Sequence, residues 1–361
     1  TVTRRQARIS GLVKETIDEF ELGWAPNQSD ALTAHFLNAG YSPDDLLRAG
    51  LSFKTERGMV LDRFRGRIMF PIHNHLGKVV GFTGRILPEL DTGQSGKYVN
   101  SPETPIFAKS KLLYGFWKTK NAIRDTGFAF LVEGQMDMLA SWQAGVKNVV
   151  ASSGTAFTPE HLRALRRQTD RLTVSFDSDE AGFAAGERVI DLAEASDFQV
   201  NVAMLTGYKD PAELAEADPA KLVLAVADAR SAPEFYFERY LPSSAVDSRS
   251  RDYLKRLRVV LGKIKNIASP VDRSLWMKEL SRRANIDERV LSEEAEKIEI
   301  KVSAGVEAEQ KAEEPEKKFS RREILSQRMI ALALHKNDFN AIAGHIQFLS
   351  SLYQELLETL R

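Results

Sequence analysis

The sequence predicts an α+β protein of several subdomains: a mixed α/β N-terminal subdomain, a central α/β domain on a parallel sheet, and a C-terminal helical subdomain. Three observations predict it. Between residues 125 and 212, short apolar runs alternate with helical stretches, the pattern of strand–helix units that build a parallel sheet. Upstream, two β-patterned runs flank the turn Asn74-His75-Leu76-Gly77, which marks an antiparallel hairpin. Downstream, Leu254, Leu257, Leu261 and Ile264 recur three and four apart, one face of a helix.

Taken in order, residues 1–53 read as short helices: Leu12 to Phe20, Asp30 to Asn38 and Pro43 to Arg48. Ser42-Pro43 is a helix-start pair, with the proline in the first turn and no side-chain cap expected from Ser42. The hairpin strands are Arg67 to Ile72 and Lys78 to Phe82, and the N-terminal subdomain is expected to run over 1–124. Phe128 to Val132 is continuously apolar, as a strand covered on both faces must be. Met136 to Ala144 then reads as helix and Asn148 to Ala151 as strand. Thr158 caps a helix that opens with Pro159. A strand over Arg171 to Phe176, a helix over Ala181 to Ala195 and a strand over Gln199 to Leu205 complete the domain at 125–212. Residues 213–302 read as helical. Residues 303–319 read as a linker, since Gly305 to Lys318 is polar, contains Pro315 and holds five Glu against three Lys. Residues 320–361 resume helical periodicity and are expected to begin a further domain or to dock on a partner.

Composition narrows the function. At roughly 100–200 residues per domain, 361 residues make two or three domains. Cysteine is absent, which excludes disulfides and thiolate-bound zinc. The 13 Pro and 22 Gly show no fixed period, so collagen and solenoid folds are excluded. No apolar run reaches the ~18 residues that span a bilayer, and no signal peptide is visible; the expected location is the cytoplasm, without membrane attachment. Because it begins at Thr1, the chain is expected to be a fragment of something longer. Net charge is zero, yet Lys54 to Arg124 carries 13 Lys/Arg against 5 Asp/Glu. A basic segment beside an acidic remainder suits an enzyme that handles a polyanion at a metal site.

The acids themselves are patterned. Glu133 follows the first predicted parallel strand, with Asp137 one helical turn on; Asp177 and Asp179 follow the third; Asp210 follows the fourth. Ligands of open α/β sheets bind at these carboxyl ends. Carboxylates converging there repel one another unless a cation lies among them, and hard oxygen donors suit Mg²⁺ or Mn²⁺. Any one of these acids, alone, is most simply a turn residue or helix cap. An EF-hand reading of Asp177-Ser178-Asp179 fails, because the twelfth position is Arg188 where a Glu is required. His73 and His75 find no further zinc ligands, and neither a phosphate-binding P-loop nor a Gly-x-Ser-x-Gly elbow is present.

Val132-Glu133-Gly134-Gln135-Met136-Asp137, Phe176-Asp177-Ser178-Asp179-Glu180-Ala181-Gly182 and Lys209-Asp210-Pro211 resemble the toprim signature shared by primases, topoisomerases and some nucleases. Arg67 to Ile72, Gly84-Arg85, Lys97 to Thr104, Phe107-Ala108-Lys109 and Ala151 to Ala156 resemble the bacterial replicative primase family of DnaG type. The resemblance covers about residues 8–295, and the block upstream of the toprim motifs selects primase among the toprim chemistries.

The resemblance implies a DNA-directed RNA polymerase core that makes short RNA primers on single-stranded DNA from ribonucleoside triphosphates. It assigns Glu133, Asp177 and Asp179 to catalysis. With Asp210 they would hold the metal, Mg²⁺ or Mn²⁺, as two or more ions. Arg85, Lys97, Tyr98, Asn100, Lys109 and Asp137 are expected to contact nucleotide or template, with Arg63, Arg65 and Arg67 adding positive field. Two positions depart from the family pattern. Ala212 stands where an acid is usual, so that either Glu213 substitutes or one metal is held by fewer protein ligands; Ser10 stands where Arg is usual, so that one contact is either lost or supplied by Arg8. The family's zinc module needs cysteine and so is expected outside this chain, which should hold no zinc. Its replicative-helicase contact would use the region that begins at 320–361, and the setting would be the bacterial cytoplasm at the nucleoid. Two other classes compete: toprim cleavage chemistry, disfavoured because no Tyr lies in a strand-transfer motif, and a non-catalytic single-strand clamp, disfavoured by the intact acidic set.

Overall fold

The computed structural model describes residues 11–91, 93, 96–154, 156–241, 250–298 and 326. The chain divides into two units, Thr1–Ser303 and Ala304–Arg361. The expectations for Arg8, Ser10, the linker from Ala304 on and the helices of 320–361 concern residues outside the described set, Ser326 apart. Among the described residues no helix is long and apolar enough to cross a membrane.

The first unit opens with α1 (Lys14–Glu19), β1 (Gly23–Ala25), α2 (Ala31–Asn38) and α3 (Pro43–Arg48). Ser42 does cap α3, contrary to expectation: its Oγ accepts the Asp45 N–H at 3.2 Å, and Asp45 reciprocates to the Ser42 N–H. Proline at the first position removes an N–H that needs no partner, so it leaves the third-residue N–H free for the cap. Helix α2 is capped from afar. Asp62 accepts the Leu32 and Thr33 N–H groups at 2.7 and 2.8 Å, whereas the neighbouring Asp30 caps nothing. Asp62 ends the small hairpin of β2 (Ser52–Lys54) and β3 (Val60–Asp62).

The predicted hairpin is β4 (Arg67–His73) and β5 (Val79–Ile86), turned where Asn74 Oδ1 accepts the N–H groups of Leu76 and Lys78. With β6 (Tyr98–Asn100) it forms an antiparallel sheet in the order β1-β4-β5-β6. After α4 (Phe116–Thr126) comes the strand–helix alternation: β7 (Ala129–Val132), α5 (Gln135–Gln143), β8 (Val149–Ala151), α6 (Pro159–Arg166), β9 (Arg171–Val174), α7 (Glu180–Ala195) and β10 (Gln199–Val202). These four strands are parallel, and β11 (Arg230–Ser231) adds an antiparallel edge to give β11-β10-β9-β7-β8. Every residue of β7 and β8 is buried, as expected of strands between helical layers.

The two sheets share one core. Phe70 and Ile72 of β4, Phe107, and Phe130, Met138 and Leu139 of the parallel domain belong to the same buried cluster. Tyr114 and Ala151 exchange backbone hydrogen bonds at 2.8 and 3.2 Å, which ties the segment before α4 onto β8.

The remaining elements are helices α8 (Pro211–Ala217), α9 (Pro219–Ala227), α10 (Ala232–Tyr240), α11 (Arg251–Asn266), α12 (Pro270–Ala284) and α13 (Glu288–Glu296). The buried stripe of α11 is Tyr253, Leu257, Leu261 and Ile264; Leu254 falls outside it and is 43% exposed. Its place is taken by Tyr253, which stands a full helical turn before Leu257.

Candidate active site

The parallel strands deliver their acids to one rim. Glu133 leaves β7 and is held by the loop after β8: the Ser153 N–H donates to its carbonyl at 3.1 Å, joined by Gly154 N–H and Ser152 Oγ, both at 3.4 Å. Ser153 takes a left-handed backbone, φ 63°, to turn that loop inward, a conformation uncommon for a residue with a side chain. The loop after β9 is joined to the loop after β10 by the Ser178 N–H, which donates to the Lys209 carbonyl at 2.9 Å. Asp177 and Asp179 are thereby brought beside Asp210. Gly182 makes the turn feasible, because a Cβ there would collide with the Asp177 backbone carbonyl.

Several of these acids do cap helices. Asp179 accepts the Gly182 N–H at 2.7 Å and opens α7. Asp210 accepts the Glu213 N–H at 2.8 Å and opens α8. Asp137 accepts the N–H groups of Gly134 and Ala212 at 3.1 and 3.3 Å. Capping uses one oxygen of Asp179 and of Asp210, so the cap alone does not occupy the whole of either carboxylate. Glu213, the candidate substitute for the acid missing at Ala212, instead accepts the Lys209 N–H at 2.5 Å.

Electrostatics shows that the acids form one set. Burial, then the charges of Asp177 and Asp179, push the Glu133 carboxyl up, against Arg188. Burial, then Asp210 and Asp177, push Asp137 up to about 7. Burial and Asp210 raise Asp177, with Lys209 opposing and Asp179 adding. Glu133 Oε1 is buried and has no hydrogen-bond partner among the described residues. An orphaned oxygen within mutually repelling carboxyls is what a hard cation would relieve, so the chemistry of the donor set, though not its present spacing, suits a divalent metal. In this arrangement no three of the carboxyl groups, among the described residues, stand close enough to ligate a single ion.

The basic residues divide. Arg85 of β5 lies over the ring of Tyr98 on β6, its guanidinium carbon 5.8 Å from the ring centre. Partial burial raises the Tyr98 phenol, Arg85 opposes, and Asp137 and Asp210 add to the rise, which places Tyr98 in the field of the acidic rim. Lys109 Nζ donates to the Gly154 carbonyl at 3.3 Å, on the loop that holds Glu133. Burial pushes the Lys109 ammonium down, against Glu103. Lys97 is exposed. Asn100 Oδ1 accepts from Thr83 Oγ1 at 2.6 Å, and Thr83 Oγ1 accepts from Gln135 Nε2 at 2.8 Å. Sequence reasoning missed Thr83 and Gln135, the buried relay that joins β5, β6 and α5.

Arg67 departs from the basic-cleft expectation. It is 4% exposed and donates to the carbonyls of Gly84 and Lys97 at 3.1 and 3.2 Å, so it braces β5 instead of facing solvent. Gly84 makes the room, since a Cβ there would press on Arg67 Cδ; a glycine within a strand was the available signal. Arg65 is exposed above the Phe53 ring at 5.9 Å. Arg63 is half-buried, its Nε without a partner among the described residues.

The chain is similar to known proteins over most of its described length. Residues 6–120 match the family model of the DNA primase catalytic core, N-terminal domain, and residues 130–215 match a Toprim-like model. The DNA primase of Geobacillus stearothermophilus is 36% identical over 289 residues, covering 80% of this chain and 47% of that relative. The chain thus spans about half the length of the curated relatives it matches. Among solved structures, the E. coli primase catalytic core is 32% identical with a TM-score of 0.67, covering 79% of this chain and 91% of that one. A DnaG primase catalytic domain bound to ssDNA is 30% identical with a TM-score of 0.68, covering 80% and 90%. With the acids gathered at one rim, the upstream sheet joined to it, and both halves matched, the chain belongs to the DnaG-type primase family as a catalytic core with its toprim domain.

Proposed function

We propose that this chain synthesises short RNA primers on single-stranded DNA for chromosomal replication, by metal-dependent nucleotidyl transfer. The observation that carries the reading is the junction of two opposite fields. An acidic rim on the parallel sheet meets the Arg85–Tyr98 pair of the antiparallel sheet, with Thr83 and Gln135 hydrogen-bonded between them. The similarity to a DnaG primase catalytic domain bound to ssDNA supports the same class of template.

Glu133, Asp177, Asp179 and Asp210 would hold the divalent ions, Mg²⁺ or Mn²⁺, two or more. When bound, such ions lower the pKa of a primer 3′-hydroxyl and neutralise the departing pyrophosphate. The chain's own groups do the rest. Arg85, Lys97 and Lys109 offer guanidinium and ammonium donors to triphosphate and template phosphates. Tyr98 offers a face for base or ribose, and Asn100 an amide donor. Asp137 braces the first turn of α5 against α8 and fixes the height of Glu133. Arg63 and Arg65 extend the positive field; Arg67 supports it from behind.

In this reading the partners are single-stranded DNA, ribonucleoside triphosphates, a replicative helicase engaged through the C-terminal region, and a zinc module supplied from outside this chain. The setting is the bacterial cytoplasm, at the nucleoid. Incubation with Mg²⁺, template and a labelled ribonucleotide tests the activity. Template-dependent incorporation by the parent and none by Asp177→Asn, with template binding retained, is the expected result. Nicking of supercoiled DNA in place of incorporation would replace this reading with cleavage chemistry.

A further inference from the structure

Phe176 stands one peptide bond before Asp177, between the end of β9 and the acidic rim, and is 9% exposed. Its ring rests on Gly186 of α7: a Cβ at Gly186 would stand 2.1, 2.4 and 2.5 Å from three atoms of that ring. One turn earlier in α7, a Cβ at Gly182 would meet the Asp177 carbonyl oxygen at 2.4 Å. Residues four apart share a face of a helix, so Phe176 and Asp177 are laid along one face of α7. Glycine is a poor helix former, and neither of these two has the positive φ that calls for it. The close approach of the 176–177 segment is what they make possible.

Two further rings complete the seat. Phe183 of α7 meets Phe176 edge-on with centroids 5.5 Å apart, and Phe235 of α10 does so at 5.7 Å. Phe183 and Phe235 stack on each other at 6.4 Å and 12°, and Arg239 of α10 covers Phe183 at 4.1 Å. Such edge-on contacts favour one ring orientation, and close-packed interiors transmit a displacement to the next group. Beyond Asp177 the chain is pinned again, by the Ser178 N–H on the Lys209 carbonyl and by the cap that Asp179 makes on Gly182. Asp177 is therefore held from both sides, by the ring before it and by the hydrogen bonds after it.

We propose that Phe176 is a positioning residue for the rim: its ring, seated on Gly186 and held by Phe235, sets where Asp177 stands relative to the divalent ion. The inference rests on the metal-dependent reading above. It makes α10, which carries no rim acid, part of the support of the active site.

The test titrates the whole chain with Mn²⁺, follows the free ion by electron paramagnetic resonance, and measures template-directed incorporation beside it. Gly186→Ala places a methyl where the ring lies. It should weaken Mn²⁺ binding ~10-fold and incorporation ~10–100-fold, since a misplacement of about 1 Å can cost about 10²-fold. Phe176→Leu removes ring atoms that the methyl would strike and should cost ~3-fold in each measurement, with the double variant no worse than Phe176→Leu alone, a non-additivity that marks direct coupling. A merely structural ring would let Gly186→Ala shift the urea midpoint while the folded chain keeps the parent's Mn²⁺ affinity. That result overturns the proposal, and so does a double variant in which the two losses multiply. If Gly186→Ala does not fold, Phe235→Leu decides: ~3-fold weaker Mn²⁺ binding is expected from the lost ring contact, and the parent's affinity overturns the proposal. Failure of the primase reading looks different. A parent that binds Mn²⁺ through Asp177, with Gly186→Ala weakening it, yet incorporates no ribonucleotide, loses that reading and keeps this one.

Discussion

Helix α7 carries two acidic clusters that differ in the bases the fold gives them, although burial raises the Asp191 carboxyl in the second as it raises acids of the first. At its first turn stands Asp179, beside rim acids whose carboxyls are pushed up: Glu133 by burial and then by the charges of Asp177 and Asp179, Asp177 by burial and then by Asp210. Along its body stand Glu187 and Asp191, which are matched with bases. Lys263 reaches Glu187 at 3.3 Å and Asp191 at 2.7 Å, Arg239 approaches Glu187 at 3.8 Å, and the Tyr240 hydroxyl donates to Glu187 at 2.6 Å. Both clusters are acidic residues near one helix. The difference is whether the fold supplies the counter-charge. Where it does, the acids pin α7 to α10 and α11. Where it supplies only partial compensation, from Arg188 and Lys209, the proposed bound cation would supply the rest.

The largest effect that would test this contrast is at Asp177. Asp177→Asn should reduce primer synthesis by about 10²–10³-fold or more, as expected when a charge-stabilising group is lost, yet leave the urea midpoint unchanged or higher. A large fall in stability would mean that Asp177 is a structural acid like Asp191. Next comes Lys263→Met, which strands Glu187 and Asp191 without their cation. It should lower unfolding free energy by about 2–4 kcal/mol in urea titration, with synthesis per folded molecule preserved.

Glu194 sharpens the comparison further, since it sits beside the matched cluster yet lacks a partner of its own. Burial and Asp191 push its carboxyl up to about 8, against Lys263. The native state therefore holds a proton that the unfolded chain releases near its ordinary value of 4.5. Its contribution is fullest below that value and is lost as pH rises toward about 8. Glu194→Gln should flatten the decline in urea midpoint between pH 5 and 8, and an unchanged slope would remove Glu194 as its source. The smallest effect is expected at Thr83→Val, which cuts the relay to Asn100 and Gln135. A loss of about 1–2 kcal/mol and a few-fold rise in KM for ribonucleotide should accompany it, measured by denaturation and initial rates.

Much of this was legible in the sequence because it follows from local rules. Fully apolar Phe130 to Val132 could only be a covered strand, and acids directly after such strands had to reach a common edge. The strand at Gly23–Ala25 was not legible, because three residues carry no alternation and its pairing with β4 is long-range. The remote cap of α2 by Asp62 was invisible for the same reason. Arg63, Arg65 and Arg67 look equivalent in a row, yet one is buried by the space that Gly84 leaves. The Leu254 miss came from reading a three-residue spacing as a face without allowing Tyr253 to hold the preceding turn.

The Thr83 hydroxyl has one proton, and that proton goes to Asn100 Oδ1, while its lone pair is claimed by Gln135. The Asn100 side chain is thereby fixed with its oxygen turned inward. That leaves its pair of N–H bonds free to point outward, so in the proposed reading this position would recognise only acceptors: a phosphate oxygen, a ribose oxygen or a carbonyl on a base. An aspartate at the same place, isosteric but lacking those bonds, would turn a welcoming contact into a repelling one.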